Sequence, residues 1–226
     1  MGIIALVGGD EFRGNCIEMD RHILSLASRN KPHVVILPTA AAYENPRLAA
    51  GNGVRYFNAL GAQTTAAMIL DHNDTNNQEK ISALEQSDIL YITGGDPWHL
   101  LSALKESPAW NSIVKCYQKG GIVVGSSAGA IVLSEKMRNQ DASGWIHALN
   151  LASGIAVLPH HDSLQPDNIL PLRDSLKSGI TLIGISAATA CIHLEHQTWH
   201  VAGNGLVTLY KKHSSEVFGN NQRFKM

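Results

Sequence analysis

Charge is scarce in this chain. Of its 226 residues, 16% are Asp, Glu, Lys or Arg, and 18 basic against 19 acidic side chains leave a formal net charge of -1. There is no basic excess or stripe, so the electrostatic footprint of a nucleic-acid binder is missing. Aromatic residues are only 6%, and the four tryptophans are scattered, which suits core or cleft packing and not a base-stacking platform. No apolar run reaches the length of a bilayer-spanning helix, so no membrane partner is expected. The three cysteines, Cys16, Cys116 and Cys191, are odd in number and far apart, with no CxxC pair. Neither a disulfide framework nor a zinc site follows from them, and a reducing cytoplasm is the natural setting.

What the chain does have is 44% hydrophobic residues, a globular composition without low-complexity or linker segments. The length fits one domain spanning residues 1–226. The N-terminal stretch Ile3–Val7 has no basic leader before it and no long apolar h-region, so it reads as a first strand and not a signal peptide. Short β-branched runs at His33–Leu37, Thr64–Leu70, Asp88–Ile92 and Gly121–Val124 then alternate with helical periodicity. The helical stretches cover Cys16–Ala27, Pro46–Leu60, Asn76–Gln86, Trp98–Leu104 and Trp110–Gln118. This alternation predicts an α/β fold in three layers, a mostly parallel sheet flanked by helices on both faces. Later segments read differently. Strands are expected near Ile155–Leu158 and Ile180–Ile185, an antiparallel hairpin from Cys191–Leu194 and Thr198–Ala202, an edge strand at Leu206–Tyr210, and a polar, fraying tail from Lys211.

The sharpest chemical signal is Gly125-Ser126-Ser127-Ala128-Gly129, a G-x-S-x-G pattern placed directly between an apolar strand and a helix-compatible run. That setting is what a nucleophile elbow requires: glycines two before and two after the serine let the chain turn sharply and lift the Ser127 hydroxyl above the sheet's carboxyl edge. The backbone N–H of Ala128, at a helix start, is then a candidate oxyanion donor. A serine hydroxyl needs a base. Leu158-Pro159-His160-His161-Asp162 offers two histidines at a strand end, and chemistry alone does not choose between His160 and His161. Thr93-Gly94-Gly95-Asp96 ends another strand on the same edge. There Gly95 can supply a second backbone donor and Asp96 can cap the next helix. His193, Glu195, His196 and His200 cluster near the hairpin, but alternation on exposed strand faces explains them without a metal. Cys116 shares a helix face with Ile113 and Val114 and reads as a core thiol.

Together, Ile92-Thr93-Gly94-Gly95-Asp96, Gly125-Ser126-Ser127-Ala128-Gly129-Ala130 and Pro159-His160 resemble the serine peptidases of the dipeptidase E and cyanophycinase type, whose fold is similar to that of the class I glutamine amidotransferases. The resemblance implies Ser127 as nucleophile, His160 as base, and Gly95 and Ala128 as oxyanion donors. It implies no cofactor, a small peptide substrate cleaved beside aspartate, and substrate contacts from Asp96, His161 and Arg173, with a homodimer left open. One position departs from the family pattern. Gly184-Ile185-Ser186-Ala187-Ala188-Thr189-Ala190 carries Ala187 where such proteins usually have an acidic residue. Three readings follow: Asp162 or Glu195 stands in for the acid, a serine–histidine dyad works alone, or the chain is a catalytically weak or inactive relative that binds a small ligand. An amidotransferase-like activity is disfavoured by serine in place of cysteine at position 127.

Overall fold

A computed structural model describes residues 1–194, 198–212 and 214–226. Five parallel strands form the backbone of the larger sheet: β1 (Ile3–Val7), β2 (His33–Leu37), β3 (Gln63–Ala66), β4 (Ile89–Ile92) and β5 (Ile122–Ser126). They lie in the order β1-β5-β4-β2-β3. The helices between them are α1 (Ile17–Ser25), α2 (Pro46–Ala59), α3 (Gln78–Glu85), α4 (Pro97–Leu104) and α5 (Pro108–Gln118). Proline opens α2, α4 and α5, where its missing N–H costs nothing, and Asn45, Asp96 and Ser107 accept backbone N–H bonds as their caps.

After β5 come α6 (Ala128–Leu133), β6 (Ser134–Arg138), β7 (Trp145–His147), β8 (Ala152–Leu158), α7 (Pro166–Asp174) and β9 (Thr181–Ile185). The chain ends in β10 (Thr189–His193), β11 (Thr198–Gly203), β12 (Val207–Tyr210), β13 (Ser215–Phe218) and β14 (Arg223–Lys225). Strand β10 pairs antiparallel with β1, β11 antiparallel with β10 and β14 antiparallel with β11, which extends the first sheet to eight strands. The other strands form a six-stranded sheet in the order β13-β12-β9-β8-β6-β7.

The period-two alternation of the strands decides which layer each residue enters. Ile4, Leu6, Leu90 and Ile92 point toward α4, α5, α6 and the second sheet, where Ile155, Val157, Ile183 and Ile185 meet them. Ala5, Val7, Ile36 and Tyr91 point the other way, onto Met19 and Ile23 of α1 and Phe57 of α2. On the far face of the second sheet, Ala156, Leu158 and Leu182 cover Ile169 of α7. Each fully buried Leu, Ile or Phe contributes roughly 1.5–3 kcal/mol by leaving water. Cys16, Cys116 and Cys191 are free and buried within these layers.

The expected α/β class holds, with a mainly parallel sheet between helices and antiparallel strands near the C-terminus. Three details differ from expectation. The alternation did not announce a second sheet. Strand β12 is not an edge, since β9 and β13 flank it. The tail carries two further strands: β13 and β14 both pair, and Phe224 is buried against Phe218 and Trp199. Among the described residues, no helix is long and apolar enough to cross a membrane.

Candidate active site

Register brings the functional loops together. Val7 of β1 lies beside Ser126 of β5, and Gly125 lies beside Ile92 of β4, so the segments after β1, β4 and β5 leave one carboxyl edge as neighbours. This is where ligands of open α/β sheets bind. The second sheet delivers the fourth segment. At the end of β8 the backbone N–H of His160 donates to the carbonyl of Gly8, 2.8 Å away.

Ser127 sits at the elbow with φ 48° and ψ -106°, a left-handed conformation that strains a side chain bearing Cβ. Its N–H donates to the Val7 carbonyl at 2.9 Å. The two elbow glycines are sterically required. A Cβ on Gly125 would come within 2.5 Å of the Gly129 carbonyl carbon, and one on Gly129 within 2.7 Å of the Ile92 carbonyl oxygen. Held this way, the half-buried Ser127 places its Oγ 3.1 Å from Nε2 of His160, within hydrogen-bond reach. His160 is also left-handed, at φ 49°, and its carbonyl accepts from the Ser163 hydroxyl at 2.7 Å. Its ring lies directly over Gly9.

Ser127 and His160 line one cavity of about 810 Å³, together with Gly95, Glu11, Arg13, Glu44, Asn52, Arg55 and Tyr56. Gly95 has φ +136°, and a Cβ there would meet the Ala40 carbonyl oxygen at 2.2 Å. Ala128 is the first residue of α6, so its N–H has no partner one turn earlier in that helix.

The other expected contacts lie elsewhere. Asp96 Oδ1 accepts the N–H groups of Trp98 and His99 at 2.8 and 3.0 Å, the helix cap of α4. His161 points away from the cavity, its Nε2 2.6 Å from the Tyr210 hydroxyl; burial lowers its pKa, and nearby Asp162 opposes that. Arg173, on α7, bonds its chain neighbour Asp174 and does not line the cavity. Asp162 accepts the Ala187 N–H at 2.7 Å, so it ties down the very turn that carries Ala187. Among the described residues, no carboxylate hydrogen-bonds the second ring nitrogen of His160; Glu195 and His196 lie outside the described residues. His200 is not on an exposed face: it is buried, with Nδ1 3.2 Å from Nε2 of His22. His193 is half-buried against Trp199. Among the described residues, no three His, Cys, Asp or Glu side chains cluster as metal ligands would.

Two residues that sequence reasoning passed over stand out. Glu11 lines the cavity beside Ser127 and His160. Tyr56 lines the cavity and donates its hydroxyl to Oδ2 of Asp20 at 2.8 Å. Asp20 is fully buried and its Oδ1 has no hydrogen-bond partner among the described residues. Burial, with the charge of Glu11 adding and the Tyr56 bond opposing, pushes its carboxyl up to about 7. A carboxyl that holds its proton more tightly folded than unfolded stabilises most below its unfolded pKa, near 4. That stability is lost as pH rises toward 7, by about 1.4 kcal/mol per unit. Asp20→Asn is therefore expected to flatten the fall in stability between pH ~4 and ~7, read from urea midpoints of both proteins across that window. Parallel curves would contradict it.

Comparison with known proteins fits this geometry. Residues 3–170 match the profile of peptidase family S51. The chain belongs to this family. It is 26% identical over 219 residues to a cyanophycinase of Trichormus variabilis, covering 91% of this chain and 72% of the relative. It is 25% identical over 163 residues to an uncharacterized peptidase of Bacillus subtilis, covering 71% of this chain and 68% of that one. Among solved structures, a peptidase from an acI-B1 Actinobacterium superposes with a TM-score of 0.90 at 25% identity, covering 100% of this chain and 97% of the other. A putative peptidase E protein from Listeria monocytogenes shares the fold, with a TM-score of 0.60 at 18% identity and coverage of 96% and 98%.

Proposed function

We propose that this S51 peptidase is of the serine type and hydrolyses peptide bonds beside aspartate, in short peptides or an aspartate-rich polymer. The observation that carries this reading is the 3.1 Å approach of Ser127 Oγ to His160 Nε2 in an open cavity. His160 takes the hydroxyl proton as Oγ attacks the substrate carbonyl. The N–H groups of Gly95 and Ala128 hold the oxyanion, His160 protonates the leaving amine, and a water activated by the same imidazole releases the acyl group.

The preference for aspartate draws support from Arg13 and Arg55 in the cavity wall, since a guanidinium suits a carboxylate, while Glu44 faces the same space and suits a substrate amine. These side chains take the role expected of Arg173. Arg55→Ala is expected to raise KM for aspartyl dipeptides about tenfold with kcat within threefold, because an exposed ion pair lost equally from ground and transition states acts on binding. Unchanged KM values would remove Arg55 from substrate recognition.

The reading is tested with a fluorophosphonate probe and peptide mapping. Labelling at Ser127 in the wild type, absent in Ser127→Ala, is the expected result; equal labelling of the two would overturn the reactive serine. The rival, a weak or inactive relative, rests on Ala187 at the position of the family acid and on the lack, among the described residues, of a carboxylate bonded to the second ring nitrogen of His160. It predicts that aspartyl peptides stabilise the protein against heat with no turnover, so Ser127-dependent release of aspartate excludes it.

A further inference from the structure

We infer that Glu11 is a positioning residue that clamps the two backbone segments of the oxyanion site together, an inference that rests on the serine-peptidase reading above. Its carboxylate bridges them: Oε1 accepts the Gly94 N–H at 2.8 Å and Oε2 accepts the Ser126 hydroxyl at 2.8 Å. These partners lie 83 and 115 residues away in the chain, and each immediately precedes a residue of the proposed machinery, Gly95 on one side and Ser127 on the other. Nothing else in the two segments performs this bridging among the described side-chain hydrogen bonds.

The geometry is tight around the reacting serine. A Cβ built on Gly94 would lie 3.0 Å from Glu11 Oε1 and 3.2 Å from Ser127 Cβ, so the bare α-carbon of Gly94 separates the carboxylate from the nucleophile's own carbon. The loop that presents Glu11 is itself strained, since its neighbours Asp10 and Phe12 both have positive φ, 63° and 66°. Strain of this kind persists only where the surroundings over-determine it. The bond to Glu11 also withdraws the Gly94 N–H from the cavity, which leaves Gly95 and Ala128 as donors on opposite sides of the clamp. Their separation, and with it the fit to a developing oxyanion, is then fixed through one side chain.

Glutamine is the discriminating substitution. Its Oε1 can accept from Gly94, and its amide N–H can donate to the Ser126 hydroxyl, which is free to turn its lone pair toward it. Alanine removes both bonds. The test measures two things on full-length Glu11→Gln and Glu11→Ala. Hydrogen exchange of the Gly94 amide is expected to stay slow in the glutamine variant and to rise at least about tenfold in the alanine variant. The rate of fluorophosphonate labelling at Ser127, well below the melting temperature, is expected within about threefold of wild type for glutamine. For alanine it should fall about 100-fold, the size of effect seen when an oxyanion donor is lost. Peptide hydrolysis should follow the labelling in kcat, with KM little changed. A merely structural glutamate would lower thermal stability and leave the folded protein's labelling rate alone. An alanine variant labelled at the wild-type rate, or a glutamine variant as slow as alanine, overturns the clamp while wild-type labelling keeps the reactive serine intact. A wild type that is not labelled at all overturns the serine reading, and the clamp with it.

Discussion

Ser127→Ala and His160→Ala are each expected to lower kcat/KM for an aspartyl dipeptide by about 10⁴-fold or more, and the double variant is expected to fall no further than the worse single one. On the proposed serine-peptidase reading, the two side chains form one device. Ser127 Oγ is a weak nucleophile unless Nε2, 3.1 Å away, takes its proton, and the imidazole has no other task once the hydroxyl is gone. On the same reading, what survives in either variant comes from the groups that do not depend on them, the proposed backbone donors Gly95 and Ala128 and the binding contacts of the cavity. Steady-state rates for the four proteins close the cycle. A double variant reduced by the product of the two single losses would mean that serine and histidine act separately, and the dyad would have to be abandoned. The side chain of Ser127 is small and half-buried, so its loss should leave stability within about 0.5 kcal/mol, which separates a chemical effect from a folding one.

How much of this was legible in the sequence depends on how local the cause is. The elbow was legible because its requirements are local: an apolar strand, two glycines at fixed offsets and a helix start, and the contacts waiting at Gly125 and Gly129 are the reason those glycines are there. Asp96 as a cap was legible for the same reason, since a cap needs only the two residues that follow proline. Glu11 was not. It follows Gly8-Gly9-Asp10 in what reads as an ordinary strand-end turn, and its partners are set by sheet order, not by spacing. The second sheet was hidden likewise. Ser134-Glu135-Lys136-Met137-Arg138 is polar and continues a helix without a break in composition, yet it pairs with β7 and β8. Strands β13 and β14 are three or four residues long and mostly exposed, so only pairing with β12 and β11 makes them strands. Arg173 fell where a cation was expected along the chain, but α7 lies on the outer face of the second sheet, and the cavity's cations come from Arg13 and Arg55 instead.

Gly9→Ala is expected to cut kcat about 100-fold or more with little change in KM, although residue 9 touches no substrate. Gly9 has φ +123°, and an added Cβ would lie 2.1 Å from Cε1 and 2.7 Å from both ring nitrogens of His160. The imidazole cannot stay where it is. Its backbone cannot retreat either, because the His160 N–H is bonded to the Gly8 carbonyl at 2.8 Å, one residue from the new methyl group. The ring must therefore rotate away from Ser127, and a displacement on the order of 1 Å at a reacting group costs about 10²-fold. The backbone strain adds about 1–3 kcal/mol of destabilisation, or a fall in Tm of a few degrees for a chain of this size. Gly61→Ala separates the two effects. Gly61 has φ +96° and nothing within 4 Å of an added Cβ, so it should lose stability and keep its rate. If Gly9→Ala lost only stability, as Gly61→Ala should, then His160 would not depend on a bare α-carbon beneath its ring.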